Sequence, residues 1–243
     1  MATPLVIARV LRGGECETPD IVLREVNPSW ALAMSKGYDS PVTKDDPNED
    51  AAGVVAGGLG VVAIVADGHF GRLSAELTVN HLLNMALQEP PPRAKASEVW
   101  DWLEEHLHTA NRRVLAHDGR SATALVAGVL QGRAFRWVSL GDCRLYHVTA
   151  TGQTILNPLN GIYLGDHLEI VLNVGEAAMA PGDRIVLASD GLPECRYGKR
   201  TLTPAQVGRG VRDRSVSDAA KALVQLALDH GGEDNIAVVV GEV

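Results

Sequence analysis

Asp67, Gly68 and His69 interrupt the chain where it is most apolar. Residues 59–66 read L-G-V-V-A-I-V-A, long enough for a fully buried strand, and then give way to a carboxylate, a glycine and an imidazole. Such residues make poor core and good sites, and rigid strand ends hold reacting groups accurately. Asp50, Asp190 and Asp234 border other apolar runs in the same way, and Asp142 follows Gly141 at a further strand junction. Carboxylates brought together repel one another unless positive charge lies between them. Oxygen donors without a cluster of His or Cys companions select hard cations, Mg²⁺ or Mn²⁺, over zinc or copper.

The element that must position the first pair is a hairpin. No charged residue lies between Asp50 and Asp67, and Gly57-Gly58 marks a two-residue turn. That turn pairs Ala56 with Leu59 and sets Asp50 opposite Val65, with Asp67 two residues further along. Side chains alternate with period two, so both carboxylates fall on one face at the same end of the hairpin.

Around this hairpin the pattern predicts strands at 21–26 and 30–34, a polar loop over 35–50 with Pro41 and Pro47, and helices over 74–88 and from Ser97 to about His117. The second helix carries His106, His108 and His117, which share no H-E-x-x-H frame and read as surface residues. A meander follows at 123–130, 134–140 and 144–148, then strands at 153–156, 168–174 and 184–189, a helix over 217–230 and a last strand at 236–240. Strands and helices in blocks argue for α+β layering, not a doubly wound parallel sheet. Without repeat, low-complexity tract or linker, residues 1–243 read as one domain, in which 1–20 are a loose extension or an edge strand.

Composition narrows the partners. A chain of 243 residues, 46% of them hydrophobic, can bury a sizeable core. The net charge of -8 argues against nucleic acid or an anionic membrane as the main partner. The longest uncharged stretch, 51–66, is too short and glycine-broken to span a bilayer, and the N-terminus lacks the basic and apolar regions of a signal peptide. Cys16, Cys143 and Cys195, three in number and far apart, read as reduced thiols in a cytoplasmic protein.

The ordered motifs P-N-E-D-A (47–51), D-G-H-F-G (67–71), S-A-T-A (121–124), L-G-D-C-R (140–144), A-S-D-G-L (188–192) and G-E-D-N-I (232–236) resemble those of the metal-dependent protein phosphatases. This is the PPM, or protein phosphatase type 2C, family of serine/threonine phosphatases. The resemblance implies an αββα sandwich, two antiparallel sheets with helices on both outer faces. It implies two Mn²⁺ or Mg²⁺ ions bridged by Asp67, with the Gly68 carbonyl, Asp50, Asp190, Asp234 and Glu49 completing their ligands. Asp142 and Glu194 match the positions that hold a third ion. His69 matches the family's general acid, and the implied reaction is hydrolysis of phosphoserine or phosphothreonine in a protein by a water activated between the two metals.

Three departures stand out. The family's phosphate-gripping arginine, five residues before the first motif's Asp, is replaced by Asp45, which should face solvent, leaving phosphate capture mainly to the metals, aided by Lys44 or Arg72. The segment between Asp142 and Asp190 is too short for the family's flap, and Ser121 and Ala122 replace a glycine and a hydroxyl residue. The shortening resembles the compact bacterial members that act on regulators of sigma factors. A catalytically weak or inactive phosphoprotein-binding relative is the alternative that the lost arginine keeps open. A two-metal nuclease is disfavoured by the acidic charge and the lack of a basic groove.

Overall fold

The computed structural model describes residues 5–39, 43–93, 95–117, 120–196 and 201–243; Pro41 lies outside them. Alternation along the strands decides which side chains meet. In β4 (Ala51–Gly57) and β5 (Gly60–His69), Ala52, Val54, Ala63 and Val65 face a second sheet, where they join Trp30, Leu32, Leu145, Leu187 and Val239. Val55, Ile64 and Ala66 point the other way, under α1 (Leu73–Gln88) and α2 (Ala96–His117). Both faces of these strands are therefore buried, which is why they read as unbroken apolar runs.

The first sheet is completed by β1 (Ile7–Arg12), β6 (Ala122–Gln131), β7 (Ala134–Leu140) and β10 (Asn173–Ala178), in the order β1-β4-β5-β6-β7-β10. The second runs β2-β3-β12-β11-β8-β9, with β2 at Val22–Asn27, β3 at Trp30–Ser35, β8 at Arg144–Val148, β9 at Gln153–Ile155, β11 at Arg184–Ala188 and β12 at Ile236–Glu242. Neighbouring strands pair antiparallel throughout. Two further helices, α3 (Pro204–Val211) and α4 (Val216–Asp229), cover the outer face of the second sheet through Val207, Val211, Leu223 and Val224. The fold is thus the α+β sandwich of two antiparallel sheets between helical layers.

Several expectations need correction. The hairpin turn is shifted by one position, so that Gly57 pairs with Gly60 and Ala51 with Ala66. Gly60 is the residue with positive φ, at 127°, and a Cβ there would lie 2.4 Å from the Leu130 carbonyl. One step past the Ala51–Ala66 pair, Asp50 stands opposite Asp67 instead of Val65. The two acids still share a face and an end, because the correction moves the partner by two residues, a whole side-chain period.

The strand expected at 168–174 begins only at Asn173. Residues just before it are held elsewhere, since the Asn111 amide on α2 donates to the carbonyls of His167 and Leu168. Helix α3 was absent from the sequence pattern because Gly208 and Gly210 depress its propensity. Its start was nonetheless written in T-P-A-Q, where Thr203 and Gln206 form a reciprocal capping box. Residues 7–12 are an edge strand on β4. His106 is buried, edge-on to Trp102 with ring centroids 4.6 Å apart, not a surface histidine.

Gly60→Ala tests the corrected register. It should cost about 1–3 kcal/mol, the range for a strained backbone position, and lower the urea midpoint. An unchanged midpoint would return the turn to Gly57-Gly58.

Candidate metal centre

The acids collect where the layer between the sheets ends. On β4 and β5 the inward positions run Val54, Ala52 and then Asp50, and Ala63, Val65 and then Asp67, so hydrophobic side chains give way to carboxylates on the same face. Asp190 follows β11, Asp234 precedes β12, and Asp142 lies in the turn between β7 and β8. One oxygen each from Asp67, Asp142 and Asp190 falls within 4.8 Å of the others. These three share a cleft of about 510 Å³ with Lys44, Asp45, Glu49, Gly68, His69, Glu194 and Asp234, and with three residues the sequence did not single out, Thr43, Phe70 and Tyr163.

Asp50 sits behind this cleft, fully buried. Its Oδ2 accepts from the Ser189 hydroxyl at 2.7 Å, while Oδ1 has no partner among the described residues. Burial raises its pKa, and although Lys44 and the Ser189 bond pull it back, it rests at about 7. Asp67 is pushed well above its ordinary value by burial, then by Asp50 and Asp234. Asp190 is raised by burial, then by Asp67 and Asp234. These directions share two causes, burial first and then the neighbouring carboxylates, and positive charge placed among the acids would oppose both.

Part of the missing positive charge comes from Lys44. Its ammonium donates to Asp234 Oδ1 at 2.5 Å and to Asn235 Oδ1 at 2.8 Å. Burial works to lower its pKa, but Asp234, Asp50 and Asp67 together drive it above the ordinary lysine value. Arg72 is not brought to the cleft. Its guanidinium lies 2.9 Å from Glu17, 3.7 Å from Asp46 and 3.8 Å from Glu76, on the outer side of the D-G-H-F-G turn. Asp45 is exposed at the rim.

Glu49 has a clear scaffolding task, because its Oε1 accepts from the backbone N–H groups of Asp45, Asp46 and Gly71. Asn235 matches it from the other sheet. Its side chain accepts from the Glu49 N–H and donates to the carbonyls of Lys36 and Pro47, tying the 36–49 loop to the start of β12. The asparagine of G-E-D-N-I was the available signal for this hub. Ser121 also finds a use, its hydroxyl accepting from the Ser74 N–H in the first turn of α1, where Arg72 offers no side-chain cap.

The donor set fits hard divalent cations. The oxygens are carboxylate, and two of them, Asp50 Oδ1 and Asp142 Oδ1, are buried without a partner among the described residues.

Comparisons with known proteins agree with this geometry. The family model of stage II sporulation protein E, SpoIIE, matches residues 62–243. No curated protein sequence matches. A bacterial serine phosphatase superposes with a TM-score of 0.74 at 14% identity, covering 89% of this chain and 98% of its own. The PPM Ser-Thr phosphatase MsPP from Mycobacterium smegmatis gives 0.72 at 23% identity, over 88% of this chain and 98% of that one. The catalytic domain of the serine threonine protein phosphatase PstP, solved with two manganese ions, gives 0.72 at 22% identity, over 92% and 99%.

The raised carboxyls set a pH dependence. In the folded chain Asp50, Asp67 and Asp190 keep their protons to higher pH than their ordinary 3.8. Their contribution to stability is complete below about pH 4; that of Asp50 is lost as pH rises through about 7, and Asp67 and Asp190 act in the same direction, so metal-stripped protein should melt at lower temperature as pH climbs from about 4 past about 7. Mn²⁺ should raise the melting temperature, and by more at about pH 8 than at about pH 6, since cations need ionised carboxylates. A melting temperature indifferent to Mn²⁺ at both pH values would sink the metal assignment.

Proposed function

Because the chain belongs to the SpoIIE family of PP2C-like phosphatase domains, we propose that it hydrolyses phosphoserine and phosphothreonine in a protein substrate with two divalent cations held at its strand-end carboxylates. The observation that carries this reading is the convergence of Asp67, Asp142 and Asp190 within 4.8 Å at the mouth of the inter-sheet layer. The two manganese ions of PstP support Mn²⁺ as the cofactor, and Mg²⁺ suits the same oxygens. Asp142 and Glu194 suit a weaker third ion. We further assign the protein to a bacterial cytoplasm, in keeping with three buried free thiols.

When bound, the cations supply Lewis acidity toward the phosphoryl oxygens and lower the pKa of the attacking water. Asp67 and Asp190 would hold them from the two sheets, with Asp50 behind, Asp234 beside Lys44, and the Gly68 carbonyl and Glu49 at the edge. His69, at the last position of β5, hands a proton to the departing seryl or threonyl oxygen. Glu49 and Asn235 keep the loop that carries Lys44 and Asp45 over the cleft. No cysteine or serine nucleophile is required.

Purified protein should turn over p-nitrophenyl phosphate with Mn²⁺ and lose that activity in excess EDTA. Asp67→Asn and Asp190→Asn should each lower kcat by about 10³ or more with the fold intact. Near-normal turnover together with unchanged calorimetric Mn²⁺ binding would remove both residues from the ligand set.

The arginine position gives a second test. With Lys44 engaged by Asp234 and Arg72 turned away, small esters should bind weakly, with KM toward or above ~1 mM. Asp45→Arg should lower KM for p-nitrophenyl phosphate by about 3- to 10-fold, on the order of 1 kcal/mol for a charge-assisted contact. A raised KM would show that the rim loop does not aim position 45 at the phosphate.

A further inference from the structure

His69 has no fixed hydrogen bond among the described residues, and its Nε2 is buried without a partner. One ring lies against it. Tyr163 meets it edge-on, with centroids 4.7 Å apart and planes at 80°. An imidazole that must present one nitrogen to a leaving oxygen needs its ring plane held, and an aromatic edge-to-face contact does that without consuming a nitrogen.

The placement of Tyr163 is heavily determined for a residue outside any helix or strand. Leu164, next to it, exchanges both backbone hydrogen bonds with Thr123, at 2.8 and 3.0 Å. Gly165 N–H donates to the Asn111 side chain on α2. Asn160 and Gly141 are joined twice, backbone to backbone and side chain to backbone. Gly141, at φ 73°, also makes the room, since a Cβ there would stand 3.1 Å from Tyr163 Cε1 and 2.5 Å from Ala124 Cβ.

The same stretch of β6 holds the other partner. His69 pairs with Ala122, and Gly68 with Thr123, whose hydroxyl donates to the Asp67 carbonyl at 2.7 Å. Residues 122–124 are thus a common template that sets His69 and Tyr163 side by side.

We propose that Tyr163 is a positioning residue for His69, its ring fixing the imidazole plane, and that the short segment between β9 and β10 is anchored to β6 and α2 to deliver it. The inference rests on the phosphatase reading. It is the ring that acts here, not the hydroxyl.

The test compares Tyr163→Leu, Tyr163→Phe and His69→Gln on a phosphoserine peptide and on p-nitrophenyl phosphate, with Mn²⁺. Proton donation is worth roughly 10²–10⁴ when the leaving alkoxide is basic, and little for an activated aryl ester. Tyr163→Leu should therefore lower kcat for the peptide at least ~10-fold more than kcat for the aryl ester, in the direction of His69→Gln. Tyr163→Phe should restore the wild-type ratio. In metal-free protein, the His69 ring protons should lose the ring-current shift of Tyr163 in the Leu variant and keep it in the Phe variant.

Equal losses on both substrates, or a Phe variant as impaired as Leu, would overturn the positioning role. A wild-type protein inactive on both substrates with Mn²⁺ would instead overturn the phosphatase reading and this inference with it. Activity without the selective loss overturns the inference alone.

Discussion

Mutual repulsion among carboxylates governs this molecule. Two unit charges separated by about 5 Å repel by about 3 kcal/mol at an effective dielectric near 20, and a domain of this kind is stable by only about 5–15 kcal/mol. Asp67, Asp142 and Asp190 lie at or inside that spacing, with Asp50 buried behind them. Ionised together and unaccompanied, they would consume much of the net stability. Burial and this repulsion together raise the pKa values of Asp50, Asp67 and Asp190, and the seating of Lys44 on Asp234 is a second expression of the constraint. Divalent cations, on the proposed reading, would be the third, offsetting the charge of Asp50, Asp67 and Asp190 once they ionise.

The scaffold answers the same constraint by spending neutral donors and acceptors on the loops around the acids. Asn235 joins the 36–49 loop to β12, the Ser189 hydroxyl links Asp50 to β11, and the Thr123 hydroxyl holds the Asp67 carbonyl. Asp67 and Asp190 belong to different sheets, so the distance between them depends on how the sheets stack. That stacking is set by large buried side chains such as Trp30, Phe135 and Leu32. Core packing and the geometry of the acidic site are thereby coupled, since a change in sheet separation moves Asp67 relative to Asp190.

Much of this was legible because strand alternation and strand ends are local. Asp50 and Asp67 could be assigned to one face without knowing the turn, since a register error of a full side-chain period leaves the face unchanged. The ordered acidic motifs carried the fold and the ligand candidates for the same reason. What was illegible depended on distant partners. Nothing near Arg72 in the sequence announces that Glu17 would take its guanidinium. Tyr163 sits in a segment without periodicity, placed by Thr123, Asn111 and Gly141 from three other parts of the chain. His106 reads as one polar residue on a helix, but it lies edge-on to Trp102 one turn earlier on α2 and meets His81 from α1, a partner that the local sequence does not announce.

The replaced arginine takes on its meaning from these neighbours. Among the described residues lining the cleft, Lys44 is the one lysine or arginine, and it is already committed to Asp234 and Asn235. Asp45 adds charge of the wrong sign at the rim, and Phe70, 64% exposed, adds apolar surface beside His69. A lone phosphate ester finds little to hold it there except cations. A phosphoprotein would bring its own surface, and an apolar side chain next to the phosphorylated residue could cover Phe70 on docking. An acidic rim also favours a substrate with basic residues flanking the phosphate. On the proposed reading, discrimination against small phosphate esters follows from the same excess of negative charge that would favour cations in the site.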